Sequence, residues 1–112
     1  MARLLLLTAL ALLLLCGAGA GASQKARKPA THTVTIDATT FSPASLTIAA
    51  GDSVVWVNKD VIPHTATSAS AGTFDSGTIA SGRSWKHAFK AKADLAYLCQ
   101  FHPTMKGRVR IE

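Results

Sequence analysis

Apolar and polar residues alternate with a period of two through much of the chain beyond residue 30. The alternation runs through His32–Asp37, returns in Leu46–Ile48 and continues in Ser53–Asn58, the segment richest in β-branched residues. This period is typical of strands with one buried face. A turn is predicted at Phe41–Pro43, whereas residues 59–70 keep no period and are predicted to form mainly a loop.

Three segments in the second half of the chain show the same period: Ser84–Phe89, Leu95–Cys99 and Arg108–Glu112. Alternation places these side chains on one face of their segments: Trp85, His87 and Phe89; Leu95, Tyr97 and Cys99; Val109 and Ile111. No segment after residue 23 has a sustained helical period. Several short strands separated by turns predict an all-β fold, an antiparallel sandwich.

The first residues have a different composition. A positive start at Met1–Arg3 precedes an apolar run over Leu4–Leu15, and small residues follow over Cys16–Ser23. These are the three parts of a secretory signal peptide, here with cleavage after Ala20 or Ala22. The apolar run is shorter than the roughly 20 residues that a membrane-spanning helix needs. An uncleaved anchor is the alternative, and it would be the only contact with a membrane.

This organisation predicts a signal peptide over residues 1–22, a basic flexible segment over 23–30 and one folded domain over 31–112. The protein would be periplasmic or otherwise secreted. The chain carries a net charge of +6. Its basic groups form either a solubilising surface or a field that steers an acidic partner protein. An exported chain with no interleaved basic and aromatic residues is not expected to bind nucleic acid.

The number of cysteines limits how the domain can be cross-linked. The chain has two cysteines, and removal of Cys16 with the signal would leave Cys99 without an intrachain partner. A domain of this size buries only about 60–65% of its unfolded surface, and small secreted domains usually add disulfides or a metal. A metal is therefore the expected cross-link.

The candidate ligands are Cys99, His102 and Met105, spaced three residues apart, with His64 further upstream. One thiolate, two imidazoles and one weak thioether form the ligand set of a mononuclear type 1 (blue) copper site. Such a set suits both Cu(I) and Cu(II), so little rearrangement accompanies electron transfer. The other two histidines, at positions 32 and 87, lack comparable neighbours and are expected to be structural.

Two stretches resemble one known family. The pattern Tyr97-x-Cys99-x-x-His102-Pro103-x-Met105-x-Gly107-x-Val109, preceded by Trp56-x-Asn58-x5-His64, is similar to the cupredoxins, in particular the amicyanin-like branch with its short ligand loop. The resemblance covers residues 31–112. It implies a Greek-key β-sandwich of about eight strands with the copper at one end.

The resemblance implies a role for each site residue. His64, Cys99 and His102 would be the strong ligands, and Met105 the axial one. Asn58 matches a family asparagine that braces the site. Its backbone N–H is expected to donate to the Cys99 sulfur, and its side chain to tie the two ligand loops together.

The resemblance also implies where electrons leave. The imidazole of His102 is expected near the surface, ringed by apolar residues such as Pro63 and Pro103. This patch would dock redox proteins: a dehydrogenase or cytochrome as donor, and a cytochrome or oxidase as acceptor. The protein would act as a monomeric electron carrier and not as an enzyme.

Three alternatives stay open at this point. The same ligands suit a periplasmic copper carrier or buffer, and zinc accepts thiolate and imidazole, although a thioether is not a usual zinc ligand. An enzyme with Cys99 as nucleophile and His102 as base is disfavoured, because no third group is evident to orient the base.

Overall fold

The computed structural model describes residues 27–112. The predicted signal peptide over residues 1–22 lies outside the described residues, as does part of the basic segment. Eight strands are present: β1 (Thr31–Asp37), β2 (Thr40–Ser42), β3 (Ser45–Ile48), β4 (Ser53–Asn58), β5 (Thr67–Ser68), β6 (Ser84–Ala88), β7 (Ala93–Leu98) and β8 (Lys106–Ile111). In the part of the chain described, no helix is long and apolar enough to cross a membrane.

The strands form two four-stranded sheets that pack face to face. The first sheet has the order β2-β1-β4-β6, and the second has the order β3-β8-β7-β5. The predicted β-sandwich of about eight strands is therefore confirmed. The core lies between the two sheets.

The strand directions differ from the prediction in two places. β1 pairs with β4 in parallel, and β3 pairs with β8 in parallel, while the other pairs are antiparallel. The prediction of an antiparallel sandwich was wrong for these two pairs. Period-two alternation reports which face of a strand is buried, and it carries no information about the direction of the neighbouring strand.

Two short strands were also missed. The predicted turn over residues 41–43 begins within β2, and the predicted loop over residues 59–70 contains β5. Strands of two or three residues are too short to show a period. Phe41 points into the core from β2, and the chain passes to the second sheet after Ser42.

Aromatic side chains fill the centre of the core. Trp56, on β4, is fully buried and packs against Phe74, Trp85, Phe89 and Tyr97, with ring centroids 5.5–6.3 Å apart. The aliphatic part of the core comes from alternate positions of β1, β3, β4 and β8: Val34, Ile36, Ile48, Val54, Val109 and Ile111.

Strand direction decides which loops meet at each end. β4 ends at Asn58 and β7 ends at Leu98, and the segments that follow them lie at the same end of the sandwich. This is the metal end, which carries His64 and residues 99–105. The far end carries the start of β1 and the Asp52 turn before β4.

Candidate metal centre

Backbone pairing fixes His64 in the loop that follows β4. Its N–H donates to the Ile79 carbonyl at 3.1 Å, and the Ile79 N–H donates back to the His64 carbonyl at 2.7 Å. This isolated bridge holds the loop at two opposing points, and the His64 side chain is fully buried. His64 is therefore held in a fixed place within the core.

Cys99 directly follows β7 and begins a tight loop. The His102 N–H donates to the Cys99 carbonyl at 3.3 Å, and the Met105 N–H donates to the His102 carbonyl at 2.8 Å. The Cys99 N–H closes the loop by donating to the Met105 carbonyl at 3.1 Å. The three-residue spacing of Cys99, His102 and Met105 thus corresponds to two successive turns. β8 starts immediately after Met105.

The structure brings three of the four predicted ligands together. The Cys99 Sγ lies 3.7 Å from the His64 Nδ1 and 3.9 Å from the His102 Nδ1. The candidate ligand atoms of these residues all lie within 4.8 Å of one another, and the two imidazole centroids are 5.2 Å apart. Met105, the fourth, is buried in the core with 4% of its surface exposed.

The thiol has a strongly altered acidity. Burial alone would raise the pKa of Cys99, but hydrogen bonds, the largest of them from the Thr65 N–H, outweigh it and lower the pKa to about 6. The thiolate is the form that binds metals. The site therefore favours the ligand form of Cys99 at neutral pH before any metal binds.

The geometry and donor types fit a metal ion. A sulfur and a nitrogen bound to one ion at about 2.3 and 2.0 Å, at 120° to each other, lie about 3.7 Å apart. The two observed sulfur–nitrogen distances are 3.7 and 3.9 Å. A buried sulfur and two imidazole nitrogens are soft or borderline donors, which suit copper.

Asn58 does not occupy the predicted position. Its N–H donates to the Arg83 carbonyl at 2.9 Å, and its side-chain amide donates to the carbonyls of Ile62 and Ile79. The predicted bond to the Cys99 sulfur and the predicted tie between the two ligand loops were both wrong. The reason is position: Asn58 ends β4, so its N–H pairs with the segment that leads into β6. Asn58 instead organises the His64 loop.

Thr65 makes both of those contacts. Its N–H donates to the Cys99 Sγ at 3.3 Å, and its Oγ1 accepts from the Gln100 N–H at 2.9 Å. The Thr65 hydroxyl in turn bonds to Thr67, whose hydroxyl donates to Asp75. Its place directly after a ligand histidine was the available signal, since such a residue must face the other ligand loop.

Asp60 fixes the second nitrogen of His64. Its Oδ2 lies 2.9 Å from the His64 Nε2. A bond from His64 is the largest of several hydrogen bonds that lower the pKa of Asp60, so the carboxylate is ionised and can only accept. The proton of a neutral His64 therefore sits on Nε2, and Nδ1 presents its lone pair toward Cys99. Sequence reasoning missed this residue.

Both ligand loops expose apolar residues. His102 is half-buried, and the two prolines at positions 63 and 103 are exposed. The two loops also expose larger apolar side chains: Val61 is 87% exposed, Ile62 38% and Phe101 50%. Exposed apolar side chains in a group mark a binding surface.

Comparison with known proteins places this site in a family. A family model for copper-binding proteins of the plastocyanin/azurin family matches residues 28–112. The chain belongs to this family. The cupredoxin resemblance seen in the sequence is confirmed, and the cofactor of this cupredoxin is copper.

Individual relatives agree with that assignment. The chain is 32% identical over 87 residues to chloroplastic plastocyanin of Tetradesmus obliquus, covering 67% of this chain and 60% of the plastocyanin. It is 30% identical over 76 residues to amicyanin-alpha of Methylorubrum extorquens, covering 64% of each. The cupredoxin thus spans less than two thirds of the length of these two curated relatives.

One solved structure is similar over nearly its whole length. The purple cupredoxin from Nitrosopumilus maritimus superimposes with a TM-score of 0.68 at 28% identity, covering 72% of this chain and 99% of that one.

Proposed function

We propose that this cupredoxin is a small exported electron carrier that holds one type 1 copper. His64, Cys99 and His102 are the strong ligands, and Met105 is the axial ligand. The observation that carries the proposal is the buried Cys99 sulfur with an imidazole Nδ1 on either side, at 3.7 and 3.9 Å. When bound, copper supplies a one-electron couple, Cu(II)/Cu(I).

The residues around the site limit how much it moves when an electron arrives. The bridge to Ile79 holds His64, and the closed backbone loop holds Cys99 and Met105. Thr65 joins the two loops. Because these contacts do not depend on the metal, the ligands keep one arrangement for both oxidation states, which favours rapid electron transfer over catalysis of a bond-forming reaction.

Docking is proposed at the apolar patch around His102, formed by Val61, Ile62, Phe101 and the two flanking prolines. A redox protein with an acidic margin suits the basic chain, because opposite charges speed encounter and an apolar centre excludes water. Export through the predicted signal peptide and a monomeric state belong to the same proposal.

The proposal is tested by adding Cu(II) to the purified protein and recording its visible and electron paramagnetic resonance spectra. An intense thiolate-to-copper band with narrow hyperfine splitting is expected. Cys99→Ser removes the sulfur while keeping its volume, and it is expected to abolish the band. Ser84→Ala, an exposed change on β6, is the matched control. A wild-type protein that binds copper without this band would contradict the assignment.

A copper carrier with the same ligands is the second candidate, supported by the exposure of the His102 side of the site. The two functions are separated by repeated reduction and reoxidation in the presence of a copper chelator. Electron transfer requires the metal to stay bound through many cycles, whereas a carrier would lose it to the chelator.

A further inference from the structure

The turn between β1 and β2 is strained where it approaches the metal end. Ala38 and Thr39 both have positive φ, 47° and 59°, although neither is glycine. The left-handed region is costly for residues with a Cβ, and most costly for a β-branched residue such as Thr39. Such a conformation persists only where its surroundings hold it, and it commonly occurs beside functional sites.

One carboxylate oxygen links this turn to a proposed ligand. The Thr39 N–H donates to the Asp60 Oδ2 at 3.0 Å, and the same oxygen lies 2.9 Å from the His64 Nε2. The other oxygen, Oδ1, accepts from the Val61 N–H at 2.8 Å. Two hydrogen bonds to one atom, the Asp60 Oδ2, therefore connect the turn to the His64 imidazole.

Asp60 is held on its backbone as well. Its N–H donates to the Asn58 Oδ1 at 2.9 Å, and its carbonyl accepts from the Ser81 hydroxyl at 2.6 Å. The neighbouring Lys59 N–H donates to the Ile36 carbonyl at the end of β1. Three contacts fix the Asp60 carboxylate and two fix its backbone. Among the three carboxylate contacts, the one from the Thr39 N–H comes from outside the His64 loop.

We infer that the β1–β2 turn is a positioning element of the metal centre, which acts on His64 through Asp60. The inference rests on the proposed role of His64 as a ligand. Asp60 selects the tautomer in which Nδ1 is free, and its negative charge makes the imidazole a stronger donor to Cu(II). The turn fixes the Asp60 carboxylate, so the His64 imidazole keeps one orientation toward the metal.

The first test replaces Asp60 and measures the reduction potential by voltammetry. Asp60→Asn keeps an acceptor oxygen but removes the charge. We expect a loss of about 10–100-fold in Cu(II) affinity, with a smaller loss for Cu(I). Each tenfold difference raises the potential by about 59 mV. Asp94→Asn removes an exposed charge on β7 and is the matched control. An unchanged potential in Asp60→Asn would overturn the inference.

The second test addresses the turn itself. Thr39→Gly keeps the N–H and relieves the strain, so the protein folds while the turn becomes freer. We expect the potential to rise in the same direction as in Asp60→Asn, by the equivalent of less than a tenfold affinity change. If Asp60→Asn shifts the potential and Thr39→Gly does not, the turn has no positioning role.

The third test does not depend on copper. In the metal-free protein, nitrogen-15 NMR of the imidazoles is expected to show His64 with its proton on Nε2. A proton on Nδ1 would overturn the role of Asp60. A wild-type protein with the expected tautomer but no blue band would instead contradict the proposed function and leave the positioning contacts in place.

Discussion

Each end of the sandwich places a histidine ring nitrogen 2.9 Å from an aspartate oxygen. At the metal end, the pair is His64 and Asp60; at the far end, it is His32 and Asp52. The second nitrogen of His64 faces a buried sulfur, whereas His32 lies near the beginning of β1, with its side chain 30% exposed. The same kind of pair belongs to the proposed metal centre at one end. At the other end it fastens residues 27–32 to the Asp52 turn.

The far-end pair gathers donors from the start of the described chain. Asp52 is buried and accepts from the Arg27 guanidinium, the Ala30 N–H, His32 and the Ala49 N–H. Arg27 and Ala30 precede β1, His32 lies on β1, and Ala49 follows β3. In the proposed function, the two ends differ because the other ring nitrogen of His64 meets further ligands.

The largest expected effect comes from replacing the histidine at each end of the sandwich. His64→Ala removes a proposed strong ligand, so the blue band should disappear. His32→Ala is the matched change at the far end; the band should persist, while the urea midpoint falls because Asp52 loses a partner. Absorbance titration with Cu(II) and urea unfolding measure the two outcomes. A band that survives in His64→Ala would break the contrast.

The next effect concerns packing beneath the metal end. Gly107 pairs with Tyr97 across β7 and β8, and a Cβ on Gly107 would meet the Tyr97 ring at 2.3 Å. Gly107→Ala should lower the free energy of unfolding by about 1–3 kcal/mol, the cost of overpacking a core. The measurement is chemical denaturation.

A double variant checks the cause of that loss. Tyr97→Leu shortens the side chain that Gly107→Ala would meet. If the clash is the cause, the two changes together should cost less than the sum of their separate costs. Additive costs would show that the glycine is needed for another reason.

A smaller effect is the pH dependence of the stability that Asp52 contributes at the far end. Hydrogen bonds from His32, the Ala30 N–H, Arg27 and the Ala49 N–H hold the pKa of Asp52 far below its ordinary value, although burial opposes them. A carboxyl with a lowered pKa adds stability that is complete above its unfolded value, about 3.9. That stability is lost as the pH falls toward the folded value.

Urea unfolding between pH 6 and pH 2.5 measures this contribution. The wild type should lose stability below about pH 4. Asp52→Asn should be less stable at pH 6 and should show a shallower acid loss. Equal acid slopes in the two proteins would contradict a fastening role for the Asp52 charge.

The smallest effect is expected for Met105, the proposed weak axial ligand. Met105→Leu replaces a thioether with an aliphatic chain of similar volume. The axial bond is weak, so copper should stay bound and the band should persist. The potential should rise, on the order of 59 mV for a tenfold loss of Cu(II) relative to Cu(I) affinity. Complete loss of copper would contradict an axial role.

Sequence patterns predicted the parts of the molecule that depend on local order. Alternation located β1, β4 and β6 within one or two residues, because one face of each strand is buried. Three-residue spacing brought Cys99 and His102 together, because a tight loop makes those positions neighbours. The strand directions were not predictable in this way, since pairing is decided by how distant segments cross between the sheets.

The supporting contacts of the site were predicted less well. The expected role of Asn58 belongs to Thr65, and Asp60 was not considered. Both errors concern the contacts that support a ligand: a backbone N–H such as that of Thr65 leaves no mark in composition or period. Likewise, His32 was expected to be structural, but its partner Asp52 is twenty residues away and could not be identified from spacing.

The contacts that hold residues 27–30 at the far end have a practical consequence for attaching the protein to a surface or to another domain. Residues 27–30 are bound beside the start of β4, where the Ser53 N–H donates to the Ala30 carbonyl. Anything joined upstream of Arg27 therefore departs from the pole opposite His102. A surface linker, electrode tether or fused domain placed there would leave the proposed docking patch around His102 facing away from the support.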